Sequence, residues 1–392
     1  MKRKLLVGMV LSLLLPTSSV FASETQPTVS IEADSAILYQ PETHDILFEK
    51  NADQQYPTAS LAKVMTMLIT SEAIKDGKIK KTDMVTISKK AWLTGGSRMF
   101  LEVGTHYSVD DLFKGLAVVS GNDAAVALSE HIAGSTDDFV VLMNKKAHEL
   151  GMNHTHFYSV NGLPGDHEPD VSTARDLMIL TDYYMKHFPE NKKIHQMKSY
   201  TTQTKENPIK QFNHNPLITD KYPGATGLKT GYVSQHYNVI GTVEQNELSF
   251  IAVVLKAPTD GARTRSTFKL LNYGFNQYTT VVKGKKGDVI DELRVYYADA
   301  SKKTNVVLGE DVKIGIKKTD IDKIKIKNKL PDHLKGGLKD GDVVGHQIVT
   351  IGDKKLEYDL VVTEDVEESG PIQKMFDGIA VLARTLIHMV FD

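Results

Sequence analysis

The spacing of apolar residues changes register several times along the chain, and each change predicts a different element. Near the start of the regular part, Ser35-Ala36-Ile37-Leu38-Tyr39 and Asp45-Ile46-Leu47-Phe48 flank Pro41-Glu42-Thr43-His44, predicting a β-hairpin. Helical spacing then takes over. Val64, Leu68 and Ala73 mark a helix over 60–74 that ends before Asp76-Gly77. Further helices are predicted over 109–118, 123–133, 136–150 and 173–186; the last opens at Thr173 with Asp176 three residues on, a capping-box-like start. After Lys229 the pattern returns to strands, over 237–243 and 248–255 with a turn at Gln245-Asn246, followed by a helix over 267–278. The fold class predicted is α/β (α+β): an antiparallel sheet with flanking helices, its N-terminal hairpin paired to later strands.

A second regime begins at Lys283-Gly284-Lys285-Lys286-Gly287. Short alternating stretches there, with turns such as Asp340-Gly341, predict a small all-β domain. A third begins after Ser369-Gly370-Pro371, where Ile372, Met375, Phe376, Ile379, Ala383, Leu386, Ile387 and Val390 share one helical face. Val381, Leu382, Met389 and Phe391 widen that face beyond a core-packing stripe, so the helix is expected to lie in a membrane interface rather than pack back on the β domain. At the other end, Met1-Lys2-Arg3-Lys4, an apolar run over 5–15 and Val20-Phe21-Ala22 predict a signal peptide, with mature chain from about Ser23. The expected division is 1–22 signal peptide, 23–282 main domain, 283–366 β-rich domain and 367–392 amphipathic helix.

Charge and composition mainly exclude. With 47 Lys+Arg against 49 Asp+Glu, interspersed, nothing favours a nucleic-acid partner. Zero cysteines exclude disulfides, cysteine-ligated zinc and a cysteine nucleophile. The 14 histidines show no metal-site spacing and there is no glycine-rich phosphate loop, so no metal or cofactor is expected.

Three short motifs carry candidate chemistry: Ser60-Leu61-Ala62-Lys63, Ser120-Gly121-Asn122 and Lys229-Thr230-Gly231. Ser60 sits where a loop enters a helix, and Lys63 lies on the same helical face, within reach of its hydroxyl. A lysine acts as base only when neutral; burial and a second cation, for which Lys229 is the candidate, both favour that. Ser120 is placed to relay a proton and Asn122 to hold a substrate amide. Lys229 and Thr230 suit a carboxylate, although ideal pleating sends their side chains to opposite faces, so a twist or bulge is expected. Gly231 allows close backbone approach. Two motifs have decoys, Ser266-Thr267-Phe268-Lys269 and Ser159-Val160-Asn161, so order and context carry the argument.

The flanking residues sharpen it. Pro57-Thr58-Ala59 before Ser60, Asp123-Ala124 after Asn122, and Gly227-Leu228 with Tyr232 around Lys229 make the chain resemble the low-molecular-mass penicillin-binding proteins, specifically D-alanyl-D-alanine carboxypeptidases. The resemblance implies attack by Ser60, activated by Lys63, on the terminal D-Ala-D-Ala bond of a peptidoglycan stem peptide, then hydrolysis of the acyl-enzyme. It implies an oxyanion hole from the N–H groups of Ser60 and Tyr232, carboxylate binding by Lys229 and Thr230, and acylation by beta-lactams. It also implies a location at the outer face of the bacterial cytoplasmic membrane. Where some members carry an arginine upstream of Lys-Thr-Gly, this chain has His214. Two alternatives stand: a beta-lactamase using Glu168 or Asp166 to activate water, and a non-catalytic penicillin-sensing wall-binding protein.

Overall fold

The computed structural model describes residues 29–163, 165, 168–204, 206–234, 236–246, 248–298 and 303–391; the expected signal peptide, Asp166 and His167 lie outside them. The predicted hairpin forms as β1 (Ser35–Gln40) and β2 (Asp45–Lys50). A 3-10 turn, Ala59–Ala62, leads into α1 (Lys63–Lys75). Then come α2 (Val109–Val118), α3 (Asn122–Ala133), α4 (Thr136–Glu149), α5 (Ala174–His187) and the short α6 (Lys192–His195). Strands β3 (Ala225–Val233), β4 (His236–Gln245) and β5 (Leu248–Ala257) follow, then α7 (Asp260–Gln277).

The five strands form one antiparallel sheet in the order β2-β1-β5-β4-β3, so the N-terminal hairpin does pair with later strands. β5 is near-continuously apolar because both its faces are covered. Ile251, Val253 and Leu255 join the core under α1 to α5, while Phe250, Ala252 and Val254 join the core under α7. The wholly buried Val64, Met65, Met67 and Leu68 make α1 a central helix, apolar on more than one face.

Two helix starts differ instructively from expectation. Thr173 caps α5, its Oγ accepting the Asp176 N–H at 3.0 Å. The Asp176 carboxylate does not reach back; it accepts from His154 N and Thr155 Oγ at 2.9 and 2.8 Å, tying α5 to a loop. α7 begins at Asp260 rather than 267, because Thr259 Oγ accepts the Ala262 N–H at 3.1 Å and starts the helix within a polar stretch that apolar spacing does not reveal.

The rest is a β module. β6 (Tyr278–Gly284) pairs with β9 (Val312–Lys317). β7 (Val289–Tyr296), β8 (Lys303–Leu308), β10 (Ile324–Lys329), β11 (Leu334–Lys335), β12 (Val343–Ile351) and β13 (Lys354–Val362) form a sheet in the order β10-β12-β13-β8-β7-β11. Its core holds Val306, Leu308, Ile314, Val349 and Leu360. The tail helix α8 (Pro371–Phe391) leans on this module through Asp377, which accepts the Tyr297 N–H at 2.6 Å. Ile372, Met375, Phe376, Ile379 and Leu382 remain exposed. Among the described residues no helix is long and apolar enough to cross a membrane.

Candidate active site

The three motifs converge at the β3 edge of the sheet. A cleft of about 310 Å³ is lined by Ser60, Ser120, Asn122, Thr230, Gly231 and Tyr232, together with Gly96, Ser97, Leu163, His214, Tyr237, Asp260 and Arg263. A cavity of similar size near Glu42 and Asp182 contains none of the motif residues.

Ser60 sits in the 3-10 turn ahead of α1, and Lys63 opens the helix. Lys63 Nζ donates to Ser60 Oγ at 2.7 Å and to the Asn161 carbonyl at 2.7 Å. The amine is completely buried, and burial, followed by the charge of Lys229, holds its pKa well below the usual lysine value; Asp170 and Asp123 pull the other way. That direction favours the uncharged amine beside the Ser60 hydroxyl, the form able to take a proton.

Ser120 stands in the left-handed region at φ 62°, a conformation uncommon for a residue with a side chain, in the turn between α2 and α3. Asn122 is buried at the start of α3; its Nδ2 donates to the Gly95 carbonyl at 2.8 Å, while Oδ1 has no partner among the described residues. Its neighbour Asp123, to which no role was assigned from sequence, accepts from Met99 N and Leu101 N at 2.9 and 3.1 Å and so shapes the loop whose Gly96 and Ser97 wall the cleft.

The Lys229-Thr230-Gly231 segment runs in regular register with β4, Lys229 opposite Ile240 and Thr230 opposite Val239. The register break lies upstream, between the pairs Thr242–Gly227 and Val243–Ala225, not inside the motif as pleating suggested. Lys229 stays on the buried side, Nζ donating to the Thr230 carbonyl at 3.0 Å, and Thr230 faces the cleft. Burial and the charge of Arg263 bring the Lys229 pKa to about 7. Gly231 is required by the turn that carries the serine: a Cβ there would stand 2.8 Å from the Thr58 carbonyl and 3.3 Å from Ser60 N. Tyr232 is exposed.

At 36–37% identity, curated relatives align along almost the whole chain. The D-alanyl-D-alanine carboxypeptidase DacC of Escherichia coli (strain K12) is 36% identical over 96% of this chain and 95% of its own. The D-alanyl-D-alanine carboxypeptidase DacA of Haemophilus influenzae is 37% identical over 94% of each. Residues 21–259 match the family model described as D-alanyl-D-alanine carboxypeptidase. The chain belongs to that family. Residues 278–368 match the model of the penicillin-binding protein 5 C-terminal domain, and the crystal structure of penicillin binding protein 5 from Haemophilus influenzae superimposes with TM-score 0.66 at 36% identity over 87% of this chain and 99% of that one. The α/β domain and the β domain after it are thus those of a low-molecular-mass penicillin-binding protein.

Within that frame, three residues matter that the sequence reading passed over. Arg263, in the first turn of α7, lies on the cleft wall, paired with Asp260 and facing the Tyr237 ring at 5.9 Å. Its Nε has no partner among the described residues. Burial lowers its pKa against the opposing pull of Asp260. A guanidinium therefore does reach the cleft of this enzyme, from a helix remote in sequence, while His214 stands on the wall with its pKa lowered by lost hydration and by Lys229, Arg263 and Lys63. Asp170 accepts from Tyr158 N, Ser159 N and Ser159 Oγ at 2.6, 2.9 and 2.8 Å, setting the loop whose Asn161 carbonyl backs Lys63. That binding absorbs the decoy Ser159-Val160-Asn161, and the decoy Ser266 is buried in α7, accepting from Glu32 N. Glu168 is exposed and does not line the cleft. Only Asp123 announces itself locally, following Ser-Gly-Asn directly; Asp170 holds a loop 11 to 12 positions back and Arg263 reaches the cleft wall through packing, so neither leaves a motif.

Proposed function

We propose that the chain removes the terminal D-Ala from peptidoglycan stem peptides through a Ser60 acyl-enzyme. The observation that carries the reading is the buried Lys63 amine 2.7 Å from Ser60 Oγ, its pKa lowered by burial and by the charge of Lys229. Lys63 takes the Ser60 proton as the hydroxyl attacks the carbonyl between the two terminal D-alanines. The oxyanion is held by the N–H groups of Ser60 and Tyr232, a pairing supported by the tight seat of Gly231 against the serine turn. Ser120 passes the proton to the leaving D-Ala amine, and Asn122, with Oδ1 open, binds the substrate backbone. Lys229, Thr230 and Arg263 hold the terminal carboxylate. Water then releases the shortened peptide, and beta-lactams acylate Ser60 by the same attack. The beta-lactamase alternative gains no support among the described residues: Glu168 does not line the cleft, and the carboxylate that does, Asp260, is tied to Arg263. The wall-binding alternative gives no reason to bury a lysine beside a serine hydroxyl.

The test is D-Ala release from a stem pentapeptide. Wild type is expected to release it and Ser60→Ala to lose at least about 10³-fold in kcat; release by both, or by neither, overturns the assignment. Labelled penicillin is expected to leave a persistent adduct, and turnover within seconds would refute the carboxypeptidase reading.

The same proposal places the enzyme outside the cytoplasm, with 1–22 as signal peptide, 23–282 as catalytic domain, 283–366 as β domain and 367–392 as anchor. Support for the anchor is the exposed row Ile372, Met375, Phe376, Ile379 and Leu382 on a helix whose one buried acid faces the module. A chain ending before Pro371 is expected in the soluble fraction; membrane association of that truncation would sink the anchor.

A further inference from the structure

The proposed oxyanion hole joins two separate pieces of chain: Ser60 N–H lies in the 3-10 turn before α1, and Tyr232 N–H lies on β3. Donors aimed at one oxygen must be held to within about 0.5 Å, so the turn has to be fixed against the strand. Gly231 sets how near the two can come, because a Cβ there would meet the Thr58 carbonyl at 2.8 Å and Ser60 N at 3.3 Å. A close approach is a limit and not a tie. On its other flank the turn is tied to the 170–172 segment. Tyr56–Pro57 pairs with Val171–Ser172, and Thr58 N donates to the Asp170 carbonyl at 2.9 Å.

A tie to the sheet comes from Asn238. It stands on β4 directly opposite Gly231 and is wholly buried. Its Nδ2 donates to the Pro57 carbonyl at 3.0 Å, three residues before Ser60. Its Oδ1 accepts the Lys256 N–H at 2.8 Å. These partners fix the orientation of the amide, since a backbone N–H can only donate and a backbone carbonyl can only accept. The second bond has its own cause. Between the pairs Tyr237–Ala257 and Val239–Val254, β4 advances two residues and β5 three, so β5 bulges, with Lys256 at φ 55°. A bulge leaves a ladder group unpaired, and the Asn238 side chain supplies the missing acceptor. Asparagine is disfavoured inside strands; a buried one with donor and acceptor both engaged is there for its hydrogen bonds. At the same bulge Lys256 turns toward the segment leading into the serine turn, its Nζ 5.4 Å from the Tyr56 ring.

We propose that Asn238 is a positioning residue for the oxyanion hole. Its side chain spans from the β5 bulge to the Pro57 carbonyl and holds the serine turn at the distance from β3 where Ser60 N–H and Tyr232 N–H converge on one oxygen. The inference rests on the reading of those two N–H groups as the hole. It gives the paired residues Gly231 and Asn238 complementary tasks: the glycine admits the turn, and the asparagine across from it keeps the turn there. Asn238 does not line the cleft, so its effect on the reaction passes through the turn.

The test gives the full chain two ester substrates ending in D-Ala-D-lactate, one with the ordinary scissile carbonyl and one with sulfur in place of that oxygen. N–H groups set for an oxyanion fit the larger, weakly accepting sulfur poorly, so wild type is expected to prefer the oxo ester strongly. Asn238→Leu keeps a similar volume and removes both hydrogen bonds. Its kcat on the oxo ester is expected to fall about tenfold to a hundredfold with KM little changed. Its preference for oxo over thiono should shrink with it, because thiono turnover draws little on the hole. Asn238→Ser, whose hydroxyl is too short to bridge to Pro57, should behave alike and stands in if the Leu variant does not fold. Tm is measured alongside, and rates are normalised to the amplitude of the thermal transition. An equal fall on both esters, with the preference unchanged, would reduce Asn238 to a structural residue, and an unchanged kcat in a folded variant would overturn its role outright. Wild type turning over both esters equally well would overturn the hole itself, whatever the Asn238 variants do.

Discussion

The catalytic cleft and the β module use the same residue, lysine, in opposite ways. In the cleft Lys63 and Lys229 are buried, without an ion-paired acid among the described residues, and both have lowered pKa values. On β10, the edge strand of the module, Lys325, Lys327 and Lys329 are exposed, an arrangement that discourages edge-to-edge pairing. The cleft also collects an Asn122 Oδ1 and an Arg263 Nε without partners and a serine at positive φ. The module's core is Val, Leu and Ile on alternating positions. Chemistry is expensive in folding terms: a base must be neutral and a carboxylate receptor must be unneutralised until substrate arrives. The module has no such duty and follows ordinary packing rules.

The contrast is sharpest where activity and stability trade. Lys63→Met should lower kcat about 10²–10⁴-fold by removing the base, while leaving or raising Tm because a desolvated amine is lost. A parallel fall in Tm would mean that Lys63 is chiefly structural. In the module, Leu360→Ala should cost about 2–5 kcal/mol of stability by opening a cavity among Val306, Leu308 and Val349. Its kcat/KM below the new melting temperature should be that of wild type, so a proportionate loss of kcat would show the two regions to be coupled. The smallest effect belongs to Lys229→Met, expected to raise stability by about 1 kcal/mol. The sign follows from the lowered pKa. Folded Lys229 releases its proton near pH 7 and the unfolded residue at its ordinary value of 10.5, so between these values the unfolded chain holds more protons and wild-type stability rises with pH. The gain in Lys229→Met should thus be largest below pH 7 and fade as pH climbs toward the unfolded value. A gain that grows with pH would contradict the burial argument.

That pH window also bears on activity. If Lys229 binds the carboxylate as proposed, the free enzyme should lose that binding as Lys229 deprotonates above about 7, which puts the alkaline limb in kcat/KM. Bound carboxylate restores the charge, and kcat is then less affected.

Much of the architecture was legible along the chain because it is local. The hairpin around Pro41 to His44 and the cap at Thr173 depend on neighbours within a few residues. The α7 start was not legible, since Thr259 and Asp260 begin a helix on hydrogen bonds rather than on apolar spacing. Several module strands, such as β13 with its Lys354, Lys355, Glu357 and Asp359, read as polar surface until paired. In the cleft, motif order alone brings Ser60, Lys63, Asn122 and Thr230 together. Arg263 was missed because its helix meets the cleft only once α7 packs on the sheet.

What the sequence by itself determined is therefore the inventory and its order: a serine with a lysine one helical turn on, an amide in a loop, a cation and hydroxyl on a strand, and apolar periodicities that build a sheet between helices. Spacing of three or four residues suffices for these, because helix and strand geometry translate it directly into shared faces. Only the tertiary structure decided that Lys63 is buried with a lowered pKa, that Lys229 is buried near Arg263, and that a guanidinium shares the cleft wall with Thr230. Those are facts of burial and electrostatic neighbourhood, and both are set by residues tens to hundreds of positions apart that touch only after the core has closed.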